Sequence, residues 1–120
     1  MVKGKMDTKT ALAHLGGSKV LYETLICGFY DQYNHVDEDI RKLLETGNQE
    51  EARLLAHSIK GLSGNLGATA LVEKSKVLET AIELDLETKV SNLEDFSKAL
   101  KEVIEEIAEL LNVDDVTYKE

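Results

Sequence analysis

The sequence predicts an all-α fold, an antiparallel four-helix bundle with one or two short extra helices at its N-terminal side. Apolar residues recur at intervals of three and four along most of the chain, which is the period of helices that pack on a core. The 120 residues include no Pro and only eight Gly, and 42% are hydrophobic. A chain of this length can build one core without metals or disulfides. We therefore expect one domain over residues 1–120, with 1–6 and 113–120 as loose tails.

Cap and stop residues predict the first two helices. Asp7 or Thr8 can cap a short helix through their side-chain oxygens, and Gly16-Gly17 stops it. Ser18 can then cap a longer helix that runs to about Asn34. Both predicted helices precede the chemically distinctive part of the chain.

The third and fourth helices follow from the same kinds of residue. Apolar residues from Val36 onward form the buried side of a helix that Gly47 ends. Asn48 and Glu51 have the spacing of a capping box, so the central helix is expected to begin just after Asn48. Gly67 is expected to end it.

Two further helices are predicted after a short turn. Thr69 is close enough to Gly67 to begin the fifth helix, which continues to about Leu84. Asp85 can cap the last helix. Its apolar stripe continues for about 27 residues, a length of about 40 Å.

The predicted central helix carries glycine where helix stability would favour other residues. Its apolar residues recur at steps of four, three and four, as expected for one buried face: Leu55, Ile59, Leu62 and Leu66. Each Gly inside a helix costs about 1 kcal/mol relative to Ala, so Gly61 and Gly64 together give up about 2 kcal/mol. A role other than helix stability must favour these glycines.

A helical wheel places His57 opposite the apolar face, toward solvent. Five residues fall within about 60° of it: Arg53, Lys60, Gly61, Gly64 and Ala68. Glycine permits the close approach of another molecule, and a neutral imidazole has a lone pair that makes it a nucleophile. An exposed imidazole beside two cations and a strip with few side chains therefore indicates a site where a docked partner exchanges an anion with histidine.

These residues resemble the signature of histidine phosphotransfer (HPt) domains of two-component phosphorelays. The runs that carry the resemblance are Ala56-His57-Ser58-Ile59-Lys60-Gly61 and Gly64-Asn65-Leu66-Gly67-Ala68, with Leu15-Gly16-Gly17 upstream and Leu78-Glu79 downstream. The resemblance covers nearly the whole chain. One departure is the bulky Leu62, where small residues are common in the family.

The resemblance implies a role for each residue of the exposed face. His57 would accept a phosphoryl group on Nε2 from a receiver-domain aspartate and pass it to another receiver domain; the residues alone do not choose between the ring nitrogens. Positive charge on Lys60 and Arg53 could stabilise the phosphoryl group. The partner would dock on Gly61, Gly64 and Ala68.

The same resemblance implies partners but no cofactor for this chain. The partners would be response-regulator receiver domains and a hybrid sensor histidine kinase, and the receiver would bring its own Mg²⁺. The sequence has no Gly-rich nucleotide loop, so we expect a phosphohistidine carrier without kinase activity. We expect it to be a monomer.

Composition excludes several other classes of partner. The net charge of −9 argues against nucleic acid and anionic lipid, since both require a basic face. No apolar run approaches the roughly 20 residues of a membrane span. We expect a cytoplasmic domain without membrane contact, either free-standing or the cytoplasmic part of a larger membrane-bound sensor kinase. Cys27 is the single cysteine and is expected to be a buried thiol without disulfide or metal.

Two alternatives to phosphotransfer are left open by the residues themselves. A helical adaptor could bind through its apolar or acidic surfaces, but it would not explain the glycines beside His57. A phosphohistidine phosphatase or a histidine kinase fragment is the other alternative, although a kinase would need a nucleotide-binding domain. His14 and His35 lack metal-ligand spacing with His57, so no metal site is expected.

Overall fold

The computed structural model describes residues 6–111, and it confirms the all-α prediction. Six helices are present in this range: α1 (Thr8–His14), α2 (Lys19–Tyr33), α3 (Val36–Glu45), α4 (Gln49–Leu66), α5 (Thr69–Glu83) and α6 (Lys89–Leu111). The one β-type pairing in the described range is an isolated bridge between Met6 and Ala68. The predicted C-terminal tail, 113–120, lies outside the described residues.

The caps predicted for the first two helices are present. The Asp7 carboxylate accepts a hydrogen bond from the backbone N–H of Thr10 at 3.1 Å. The Ser18 hydroxyl accepts one from the backbone N–H of Leu21, also at 3.1 Å. Gly16 has a φ of +68°, a left-handed conformation that ends a helix at little cost in glycine. Sequence and structure therefore agree on how α1 ends and α2 begins.

The capping box predicted for the central helix is wrong, although α4 does begin at Gln49. The Asn48 side chain makes no capping bond and instead donates from Nδ2 to Oγ1 of Thr46 at 2.8 Å. The Asn48 side chain therefore finds its hydrogen-bond partner in the turn that precedes α4 and not in the helix itself. Glu51 is exposed.

The last helix begins at Lys89 and not directly after Asp85. Asp85 has a φ of +54°, and its N–H donates to the carbonyl of Ile82 at 3.1 Å. This left-handed residue closes the end of α5, so Asp85 is not the N-cap of α6. Its carboxylate pairs instead with the Lys89 ammonium.

The helices share one core, in which α4 is central. It packs against α5 and α3 and also contacts α1 and α2, while α6 packs against α5, α2 and α3. Fully buried side chains come from several helices: Ile26, Ile40, Ile59, Leu66, Leu71, Leu78, Phe96 and Ile107. The antiparallel four-helix arrangement stays a prediction. Cys27 is only partly buried against this core, so its thiol is less enclosed than predicted.

One described residue of the predicted N-terminal tail, Met6, lies in the core. Met6 is 6% exposed and belongs to the core cluster. The next residue, Asp7, donates its backbone N–H to the carbonyl of Gly67 at 2.6 Å. Together with the bridge from Met6 to Ala68, this bond attaches Met6 and Asp7 to the turn between α4 and α5. No helix among the described residues is both long and apolar enough to cross a membrane.

Candidate functional site

His57 lies on the solvent side of α4, where the helical wheel places it. Its side chain is 57% exposed, whereas Ile59 and Leu66 on the opposite side are fully buried. Leu55 and Leu62 are only partly buried, so the predicted apolar face of α4 is less completely buried than expected. The ring is therefore accessible on a helix whose other face is anchored in the core.

Glu79 on α5 contacts the His57 ring, although the sequence alone assigns Glu79 no role at the site. Its Oε2 lies 2.9 Å from Nδ1 of His57 and 3.4 Å from Nη1 of Arg53. Its Oε1 lies 3.0 Å from Nζ of Lys60. Close packing of α4 on α5 brings these groups together. One carboxylate thus joins the three polar side chains predicted for the site, and we call these four residues the Glu79 cluster.

The charge on Glu79 determines which nitrogen of His57 carries a proton. Burial raises the pKa of Glu79, but hydrogen bonds from Lys60 and His57 outweigh that effect and hold the pKa below its ordinary value of 4.5. The carboxylate is therefore ionised at neutral pH and can only accept hydrogen bonds. Nδ1 of His57 must then be the donor, which leaves the lone pair of the neutral ring on Nε2.

Neither predicted phosphate-stabilising cation is free of partners. The Lys60 side chain is 32% exposed and is paired with Glu79. Arg53 donates from Nε and Nη2 to the two carboxylate oxygens of Glu50, at 3.1 and 2.6 Å. This fork-shaped contact is the favoured geometry of an Arg–carboxylate pair, so Glu50 holds Arg53 more firmly than Glu79 does. Lys60 is therefore the more available of the two cations.

Gly61 and Gly64 are not required by packing within the described chain. Both are exposed on α4, and a Cβ atom built on either would meet nothing within 4 Å. Gly67 differs, because a Cβ there would lie 2.4 Å from the carbonyl oxygen of Asp7. The first two glycines thus leave open surface beside His57, whereas Gly67 makes room for the chain itself.

Ala68 does not belong to the exposed strip, contrary to the prediction. It is 1% exposed and pairs with Met6 in the isolated bridge. The helical wheel fails here because α4 ends at Leu66 and Gly67 adopts a left-handed φ of +82°. That conformation turns the chain out of the helix, so a position extrapolated from the α4 axis no longer applies.

The other two histidines lie on different elements. His14 is in the last turn of α1. His35 precedes α3 and lines an open cleft of about 670 Å³ between α2, α3 and α6, together with Tyr30 and Arg41. The residues that line this cleft do not include the Glu79 cluster. No group of three His, Cys, Asp or Glu side chains in residues 6–111 is arranged to hold a metal ion.

Comparison with known proteins identifies one family. The model of the Hpt domain matches residues 25–113, which is well over half of the chain. This range contains the whole Glu79 cluster and runs from α2 to the end of α6. Neither a curated protein nor a solved structure matches the chain significantly.

Proposed function

Because the chain belongs to the Hpt domain family, which acts in histidine phosphotransfer of two-component signalling, we propose that His57 is a phosphorelay intermediate. It accepts a phosphoryl group from a receiver-domain aspartate and passes it to another receiver domain in the cytoplasm. The observation that supports this best is the contact between Nδ1 of His57 and Oε2 of Glu79 at 2.9 Å. It directs the free lone pair to Nε2 on an exposed ring.

His57 supplies the nucleophile of this reaction. The lone pair on Nε2 attacks phosphorus in line with the bond to the aspartate oxygen, and the aspartate leaves as a carboxylate. No base has to remove a proton from Nε2, because the tautomer held by Glu79 carries its proton on Nδ1. Since the ring is 57% exposed, a protein partner can bring its phosphorylated side chain to Nε2.

Lys60 stabilises the charge of the transferring phosphoryl group. Lys60 lies one helical turn after His57 on α4, and its ammonium is paired with the carboxylate that also contacts the His57 ring. The Lys60 side chain is partly exposed. Arg53 makes a smaller contribution because Glu50 occupies two of its donors. These cations do not make a complete phosphoryl-transfer site, which also requires a metal ion and further charge. The receiver domain supplies that Mg²⁺, and this chain needs no cofactor of its own.

Gly61 and Gly64 form the docking strip of the receiver. They lie on the solvent side of α4 next to His57, and the space above each is open. A docked surface can therefore approach the α4 backbone closely. Ala68 is not part of this strip, because it is buried. A hybrid sensor kinase and response regulators are the proposed partners of the monomer.

The test is phosphoryl transfer from a panel of receiver domains that carry radiolabelled aspartyl phosphate. We expect label on the wild-type chain, acid-labile and alkali-stable as a phosphoramidate is, and none on His57→Gln. His35→Gln is the matched control and should label normally. Label retained by His57→Gln would contradict the assignment. Binding of receivers without any label on wild type would favour the adaptor alternative, and labelling by ATP alone would favour a kinase.

A further inference from the structure

A buried carboxylate lies in the open cleft between α2, α3 and α6, and no cation in the described part of the chain is paired with it. Asp37 on α3 lines this cleft and is 8% exposed. Its Oδ2 accepts a hydrogen bond from the Ser97 hydroxyl on α6 at 2.7 Å, and its Oδ1 accepts one from the backbone N–H of Glu38 at 3.0 Å. The ion pairs within residues 6–111 do not include Asp37. Because the loss of water disfavours a charge, a buried carboxylate is usually accompanied by a positive group. A cation that enters the cleft would therefore be stabilised by Asp37.

Arg41 lies one helical turn after Asp37 on α3 and lines the same cleft. Side chains four residues apart on a helix share a face, with Cβ atoms about 5–6 Å from each other. Arg41 is exposed, and within the described residues its guanidinium takes part in no hydrogen bond or ion pair. A guanidinium can bind a carboxylate through two parallel hydrogen bonds. Helix α3 thus places a negative group that suits an ammonium beside a positive group that suits a carboxylate.

The remaining charged side chains of the cleft restrict the class of ligand. Two are carboxylates, Glu38 and Glu94, and two are cations, Lys98 and Lys101. Apart from His35, the lining therefore has as many negative as positive groups. A polyanion such as a nucleotide would meet several carboxylates in a chain of net charge −9. A mainly apolar ligand would remove water from these charges without replacing its hydrogen bonds. A small molecule with one charge of each sign avoids both costs.

We propose that this cleft binds a free amino acid. The ammonium of the ligand contacts the Asp37 carboxylate, and its carboxylate contacts the Arg41 guanidinium, so both charges are neutralised on one face of α3. The cleft volume of about 670 Å³ is within the range of about 300–1,000 Å³ for small-molecule sites, and it leaves room for the side chain of the ligand. Tyr30 and Ile104 give that side chain an apolar surface.

This site is separate from the proposed phosphotransfer site. None of the residues that line the cleft comes from α4 or α5, the helices that hold the Glu79 cluster. Binding at the cleft therefore does not depend on the role of His57. Because α6 holds Asp37 in place through Ser97, the ligand binds the folded chain and stabilises it.

The test is a titration of the ¹⁵N-labelled chain with each of the common L-amino acids at millimolar concentration, followed by amide NMR. At least one amino acid should shift the amide signals of Glu38 and Ser97 in a saturable manner. The same amino acid with its ammonium acetylated, or with its carboxylate amidated, should bind at least about tenfold more weakly, because one charge-assisted contact is lost. The absence of saturable shifts with every amino acid would overturn the proposal, and so would equal binding of the acetylated or amidated form.

Two variants test the individual contacts, each with a matched control on α3. Asp37→Asn keeps an oxygen that accepts from Ser97 but removes the charge, and Arg41→Gln removes the guanidinium from an exposed position. Each should weaken binding about tenfold or more. The controls Asp39→Asn and Lys42→Gln change exposed residues that do not line the cleft, and they should bind as wild type does. Undiminished binding by Arg41→Gln would overturn the proposal even if Asp37→Asn failed to fold. Failure of the phosphorelay role would show differently, as absence of label from the receiver panel, and would leave this titration unchanged.

Discussion

The ammonium of Lys60 lies 3.0 Å from Oε1 of Glu79, on the carboxylate whose Oε2 accepts from Nδ1 of His57. The cation one turn from the proposed nucleophile is therefore already paired before any phosphoryl group arrives. The positive charge of Lys60 is balanced by the Glu79 carboxylate, and the side chain is exposed enough to reach toward a new anion. This arrangement makes the contribution of Lys60 measurable.

Lys60→Ala is expected to slow transfer from a phosphorylated receiver without abolishing it. A charge-assisted contact contributes about 1.5–3 kcal/mol, or about a tenfold to hundredfold change in rate if it is complete in the transition state. Exposure to water and the competing contact with Glu79 favour the lower end of this range. Added salt should reduce the difference in rate between wild type and Lys60→Ala. The measurement is the transfer rate at two ionic strengths, with Lys98→Ala on α6 as control. An unchanged rate in Lys60→Ala would assign all charge stabilisation to the partner.

Gly61→Leu and Gly64→Leu are expected to block transfer while the chain stays folded. Open space surrounds both positions, and Leu favours a helix over Gly by nearly 1 kcal/mol, so helicity should hold or rise. The added side chains would obstruct the receiver. Transfer rate and circular dichroism are the measurements, and Glu102→Leu adds the same side chain to an exposed site on α6 as control. Unfolding of the two glycine variants would show that these residues serve internal packing.

Gly67→Ala and Gly64→Ala should change stability in opposite directions. At Gly67 the new Cβ would lie 2.4 Å from the Asp7 carbonyl oxygen, in a backbone with φ of +82°. We expect a loss of about 2 kcal/mol or more in the free energy of unfolding. At Gly64, which has open space and an ordinary helical backbone, Ala should add up to about 1 kcal/mol. Chemical denaturation measures both, and equal stability of the two variants would contradict the packing described at the α4–α5 turn.

The stability contributed by Glu79 should depend on pH. Its pKa in the folded chain is held below the ordinary 4.5, since the hydrogen bonds from Lys60 and His57 outweigh burial. A carboxyl group with a lowered pKa stabilises the fold above that ordinary value and loses the contribution as the pH falls through the folded pKa. Glu79→Gln should therefore cost about 1 kcal/mol at neutral pH and less in acid. Denaturation of both proteins at about pH 7 and about pH 3 would test the sign, and a gap that widens in acid would contradict it.

The features of this fold that could be predicted from the sequence are those set by local interactions. Side-chain caps such as Asp7 and Ser18, and left-handed glycines such as Gly67, act within a few residues of their own position. The exposure of His57 followed from the helical period for the same reason. The helix caps predicted at Asn48 and Asp85 were wrong because each residue has two local conformations open to it, and the surrounding turn selects between them.

The sequence alone thus determined the helices, the exposed histidine and its neighbours on α4, because these depend on the 3.6-residue period of one helix. Only the tertiary structure decided that Glu79 joins His57, Lys60 and Arg53, since Glu79 is 22 residues from His57 and belongs to another helix. Their contact depends on how α4 packs on α5, which the period of either helix does not specify. Packing likewise decided that Ala68 is buried beside Met6, because the left-handed turn at Gly67 takes the chain away from the α4 surface.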